Sequence, residues 1–73
     1  MKEDLRLLIA EFWGIDKNEI GNSFRFGPEN IKNFSSLRFY RFIAAIEDKL
    51  HVSIKNLEKI IDVKTLEENM VLE

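Results

Sequence analysis

The sequence predicts an all-α domain: a small four-helix bundle with one short helix and a long first connecting loop. Three observations predict it. Apolar residues recur at helical spacing over residues 3–13 and 36–50. Helix-start residues, Asn56 and Thr65, stand before two shorter apolar runs. Period-two alternation is nearly absent, since Val52-Ser53-Ile54 is too brief to count as a strand.

In the first segment Leu5, Leu8, Ile9 and Phe12 share one face, Glu3 and Asp4 suit the first turn, and Gly14 is a good stop. From Ile15 to Ser35 the chain has no clear period and is rich in turn-formers: Gly21, Gly27, Pro28 and the asparagines 18, 22, 30 and 33. Ile15, Ile20, Phe24, Phe26, Ile31 and Phe34 punctuate it, so an ordered crossover with a short helical turn is expected. The second helix, from Ser36 to Leu50, buries Phe39, Phe42, Ile43, Ile46 and Leu50 on one face. Leu37 falls on the opposite side, among Arg38, Arg41, Asp48 and Lys49. Asn56 is expected to cap a short helix holding Leu57, Ile60 and Ile61. Thr65-Leu66-Glu67-Glu68 reads as a capping box with Thr65 as N-cap, opening a last helix that turns Leu66 and Met70 inward.

At 73 residues the chain is one domain, residues 1–73. A domain of this size buries only about 60% of its unfolded surface. Six Phe, one Trp and one Tyr therefore supply much of the burial. With no cysteine, disulfides and thiolate metal sites are ruled out. The net charge of −2 and pI ≈ 5.4 argue against nucleic acid as the main partner. Met1-Lys2-Glu3-Asp4 leads into an amphipathic segment and not an apolar run, so no signal peptide is expected. No stretch approaches the roughly 20 apolar residues of a membrane span. The expectation is a cytoplasmic monomer.

Catalysis needs convergent groups, and the sequence supplies none. His51 is the only histidine and sits near a helix end, where a lone histidine is usually structural. Glu67 and Glu68 are adjacent and point in different directions. There is no calcium loop and no glycine-rich phosphate cradle. The chain reads as a non-enzyme.

Two readings of Ser36 stand. In the first, Ser35-Ser36 is a helix cap and nothing more. In the second, Ser36 is a modification site with Leu37 as a contact beside it. A pair of serines exceeds what a cap needs, and a phosphate ester at a helix N-terminus meets free N–H groups and a favourable dipole.

The Ser36-Leu37 pair opening a second helix, Ala45-Ile46-Glu47 nine residues later, Ile54, and Val63-Lys64-Thr65-Leu66 together resemble the acyl carrier protein family. The resemblance covers nearly the whole chain and implies an acyl-carrier-protein-like bundle. It further implies 4′-phosphopantetheine, derived from coenzyme A, attached covalently to Ser36 by a phosphopantetheinyl transferase (holo-carrier synthase). The arm's thiol would hold acyl groups as thioesters for separate acyl-loading and acyl-transferring enzymes. The pathway stays open among specialised lipid (for example envelope lipid or lipopolysaccharide), fatty acid, polyketide and nonribosomal peptide assembly.

The chain departs from the family's Leu-Gly-x-Asp-Ser-Leu run, reading Lys32-Asn33-Phe34-Ser35-Ser36-Leu37. Asn33 in place of Gly tolerates left-handed backbone. Ser35 in place of Asp removes a charge the transferase normally meets. The family's second helix is usually acidic and docks on basic patches, whereas Arg38 and Arg41 here would repel such patches. A specialised carrier with its own partners is the consequence.

The competing reading is a helical adaptor without a prosthetic group, docking through Leu37, Arg38, Tyr40 and Arg41 on the exposed face of the second helix. Nucleic-acid recognition through Arg38 and Arg41 is a distant third, given the net acidity.

Overall fold

The computed structural model describes residues 2–72. Among them the order is helix α1 (Lys2–Trp13), a 3-10 turn (Lys17–Glu19), helix α2 (Ser36–Leu50), strand β1 (Val52–Ile54), a second 3-10 turn (Leu57–Lys59), helix α3 (Val63–Glu68) and strand β2 (Met70–Leu72). The two strands pair antiparallel, Val52 with Leu72, Ser53 with Val71 and Ile54 with Met70. The architecture is therefore an α/β mix, and the expected all-α four-helix bundle is wrong.

The error has two local causes. Val52 and Ile54 are buried on either side of the half-buried Ser53, which is strand alternation in a three-residue segment. Such a strand is marginal alone and is identified only by its partner. That partner lies in the stretch expected to continue the last helix. Asp62, and not Thr65, is the N-cap of α3: its carboxylate accepts from the Thr65 N–H, and the Thr65 hydroxyl sits at the reciprocal position of the box. The helix thus starts three residues earlier than expected. It also ends early, because the Asn69 side-chain amide donates to the Thr65 carbonyl at 2.8 Å. Met70-Val71-Leu72 is left free to pair with β1, and the Lys55 N–H donates to the Asn69 carbonyl at 2.9 Å to extend the ladder. Leu66 is fully buried as expected, while Met70 reaches the core from a strand. Asn56 does not cap with its side chain; its backbone is left-handed (φ 52°), and its amide donates to Asn69 Oδ1 at 3.0 Å. Only a 3-10 turn follows it, with Ile60 buried and Ile61 exposed.

The first half of the chain follows its periodicity. Leu5 and Ile9 of α1 face Phe42, Ile43 and Ile46 of α2 across one core, joined by Ile20, Val52, Ile54, Ile60, Val63 and Leu66. Gly14 takes φ 68°, the left-handed stop that ends α1. The crossover is ordered, with its short turn at Lys17–Glu19, and Ile20 and Ile31 are buried.

The crossover also completes α3. A six-residue helix must find partners for its first amides from outside. The Val63 N–H donates to the Phe24 carbonyl at 3.0 Å, and Lys64 to that of Asn22 at 3.0 Å. Beside them the Phe26 N–H donates to the Ile61 carbonyl at 2.9 Å.

The Thr65 backbone N–H holds the Asp62 carboxyl below its ordinary value of 3.8; desolvation opposes this, and the Thr65 hydroxyl, Arg25 and Lys64 add to it. Because the folded value is depressed, this group stabilises the fold fully above its unfolded pKa and loses that contribution as pH falls through the folded one. Asp62→Asn keeps a capping oxygen and is expected to lessen the acid-induced loss of stability below about pH 4. Asp62→Ala is expected to cost about 1–2 kcal/mol at neutral pH. Urea melts across pH check both.

Glu47 ties α2 to the sheet, its carboxylate accepting from the Ile54 N–H at 2.9 Å. Glu47→Ala leaves that half-buried amide unpaired and is expected to cost about 1–3 kcal/mol. Glu47→Gln retains an acceptor, so its urea midpoint is expected to lie between those of wild type and Glu47→Ala.

Candidate functional site

The start of α2 is held from three directions. Ser35 is the N-cap: its backbone is extended (φ −153°, ψ 162°), and its Oγ accepts from the Arg38 N–H at 3.2 Å. Phe34, just before the cap, packs on Phe39 in the first turn, with ring centroids 6.1 Å apart. An apolar residue before the cap meeting the fourth helical residue is a hydrophobic staple, which fixes the angle at which the chain enters the helix. Phe34 also lies on Trp13 of α1 at 5.5 Å, the two planes inclined by 31°. Ahead of it Asn33 takes φ 60°, the left-handed conformation its short polar side chain permits.

Ser36 is consequently the first helical residue and not the cap. It is exposed, and among the described residues its hydroxyl makes no hydrogen bond. The Ser36 and Leu37 N–H groups also have no acceptor among those residues, whereas those of Arg38 and Phe39 are bound by Ser35. An exposed hydroxyl beside two open amides at the positive end of a 15-residue helix is accessible chemically and favourable to an esterified phosphate.

The flanking face is open as well. Leu37 is 62% and Tyr40 57% exposed, and Arg38, Arg41 and Ala44 are exposed beside them. Neither guanidinium forms an ion pair among the described residues. The structure therefore brings Ser36, Leu37, Arg38, Tyr40 and Arg41 onto one accessible surface around the first turns of α2.

Beneath that surface lies a cluster of rings. Phe42 meets Phe12 at 5.4 Å, Trp13 at 5.4 Å, Phe26 at 5.5 Å and Phe39 at 6.2 Å. Trp13 Nε1 is buried here without a hydrogen-bond acceptor among the described residues. The indole ring packs among those of Phe12, Phe34 and Phe42, and aromatic rings offer only weak acceptance. A cleft with about 10 Å³ of space is lined by Leu5, Arg6, Ile20, Asn22, Val63 and Glu67, none of them on α2. That is room for one water and not for an acyl chain.

His51 stands at the far end of α2, in the left-handed C-cap position (φ 54°). Fifteen residues at 1.5 Å each place it about 22 Å from Ser36, far beyond hydrogen-bond reach. A nucleophilic pair of the two is geometrically impossible. No cluster of three or more His, Asp or Glu suited to a metal ion occurs among the described residues. No helix among them is long and apolar enough to cross a membrane.

The staple and the Glu47 bridge were missed from sequence. The staple was readable, since Phe34 and Phe39 flank Ser35 at the required offsets. Glu47 gave no local sign, because its acceptor role depends on where β1 lies. Comparisons of the chain with known protein families, with curated proteins and with solved structures find no match.

Proposed function

We propose that this protein is an acyl carrier whose Ser36 bears a 4′-phosphopantetheine arm. The observation that carries the reading is the division of labour between the two serines. Ser35 does the capping, so the Ser36 hydroxyl has no structural task and stands free at the helix N-terminus. The left-handed Asn33 supports it, standing where the resembled family has glycine. Phosphodiester formation would join Ser36 Oγ to the phosphopantetheinyl phosphate of coenzyme A, with adenosine 3′,5′-bisphosphate leaving and the hydroxyl proton passing to base. Leu37, Arg38, Tyr40 and Arg41 would then meet the transferase and the acyl-loading and acyl-transferring enzymes. The rings packed below the serine favour a cargo carried outside the core. Specialised lipid or secondary-metabolite assembly is the setting this suits, because the arginines disfavour enzymes built for acidic carriers.

The test is intact mass after incubation with coenzyme A and a broad-specificity phosphopantetheinyl transferase. A gain of one phosphopantetheinyl group, absent in Ser36→Ala, supports the carrier. A gain that persists in Ser36→Ala and disappears in Ser35→Ala moves the site by one residue. No gain with any transferase overturns the carrier and favours the adaptor reading, which the exposure of Leu37 and Tyr40 supports independently.

A further inference from the structure

We infer that the exposed face of α2 docks on a protein surface that presents carboxylates beside an apolar pocket. The inference deepens the reading of this face as the partner-binding surface, yet does not require the arm on Ser36.

Charge is unevenly placed along the chain. Residues 30–46 contain Lys32, Arg38 and Arg41 and no acid, while the rest of the chain carries eight bases against 13 acids. A protein that is acidic as a whole thus shows one basic, acid-free segment, and that segment includes the exposed first turns of α2.

The face is ordered within itself. At about 100° per residue, the exposed arc of α2 runs from Tyr40 through Ala44 and Leu37 to Arg41 and Arg38. Over residues 37–44 one half of the arc is apolar and the other cationic, while the exposed Asp48 and Lys49 continue it toward the far end of the helix. Among the described residues neither arginine has a carboxylate partner, so both guanidinium groups keep their donors for an external one. Asp48, two turns beyond Arg41, forms no ion pair with it. Leu37 is 62% and Tyr40 57% exposed, the Tyr40 ring resting only against that of Phe39, at 6.3 Å, among the described aromatic rings. Tyr and Arg are among the residues most enriched where protein interfaces concentrate their binding energy.

Other polyanions fit less well. A phosphate backbone is held by many bases, and two arginines against the surplus acidity of the remaining chain would give weak, strongly salt-limited binding. An anionic membrane gains about 1 kcal/mol per basic residue near its surface, but the acidic remainder opposes approach, and Leu37 with Tyr40 offers little apolar area to insert. A protein surface needs only a local match to the arc.

The test is an amide-resolved NMR titration of the 15N-labelled protein with a helical peptide that alternates Glu and Leu on one face. Expected are shifts confined to residues 36–44, weakening when ionic strength rises from about 0.05 to about 0.3 M. Arg38→Glu/Arg41→Glu is expected to weaken binding by about tenfold. Lys55→Glu/Lys59→Glu, outside the face, is expected to leave binding unchanged. A matched Lys-Leu peptide binding as well as the acidic one would overturn the inference. So would shifts centred elsewhere, a second copy of the chain occupying the face, or phosphatidylglycerol vesicles or duplex DNA binding it more tightly. Ser36 modification is scored separately by mass. An unmodifiable chain that binds the acidic peptide removes the carrier and keeps this inference, and the reverse result removes this inference alone.

Discussion

Ser36→Ala is expected to abolish phosphopantetheinylation completely while shifting stability by less than about 0.5 kcal/mol. The separation follows from the geometry at the start of α2. The lost hydroxyl makes no hydrogen bond among the described residues, and alanine is at least as good a helix former at an exposed first-turn position. Ser35→Ala is expected to do the opposite. It removes the oxygen that accepts from the Arg38 N–H, costs about 1 kcal/mol, and leaves Ser36 modifiable. Mass spectrometry reads the first property and urea midpoints the second. If Ser36→Ala proved the more destabilising of the two, Ser36 would be the working cap and the assignment of roles would be reversed.

Phe42→Ala is expected to cost about 3–5 kcal/mol, the range for truncating a buried aromatic residue. Phe42 is 1% exposed and packs against the rings of Phe12, Trp13, Phe26 and Phe39, so it joins α1, the crossover and α2. A domain of this size rarely has more than about 3–5 kcal/mol from its core, so the variant should be largely unfolded at 25 °C. Phe42→Leu restores part of the volume without the ring contacts and is expected to cost roughly 1–2 kcal/mol. Near-ultraviolet circular dichroism and amide dispersion distinguish these outcomes. A cooperative transition near that of wild type in Phe42→Ala would place the centre of the core elsewhere.

Legibility of the fold divides near residue 51. α2 spans the expected residues, because a wide apolar face repeated over 15 positions leaves no competing register. α1 begins one residue before its expected start and stops at Gly14, whose positive φ is the backbone reason glycine suits that place. The C-terminal third was misread, as all its elements are too short for periodicity to distinguish helix from strand. Thr65 illustrates the difficulty. Thr-x-x-Glu matches a capping box, yet Asp62-x-x-Thr65 matches one as well, and the choice between them rests on which start lets the crossover bind the first amides.

Sequence by itself determined the two long helices, the buried face of α2, the ordered character of the crossover, and the stranded position of Leu37 among charged residues. Each follows from side-chain spacing along a single segment. Only the tertiary structure decided that Val52–Ile54 is a strand, that Glu47 pairs with its backbone, that Phe34 is anchored on Trp13 as well as Phe39, and that Ser35 caps while Ser36 stands free. The physical reason is common to all of these. A hydrogen-bond donor or a ring has several acceptable partners within a sequence, and only packing in three dimensions determines which one is within reach.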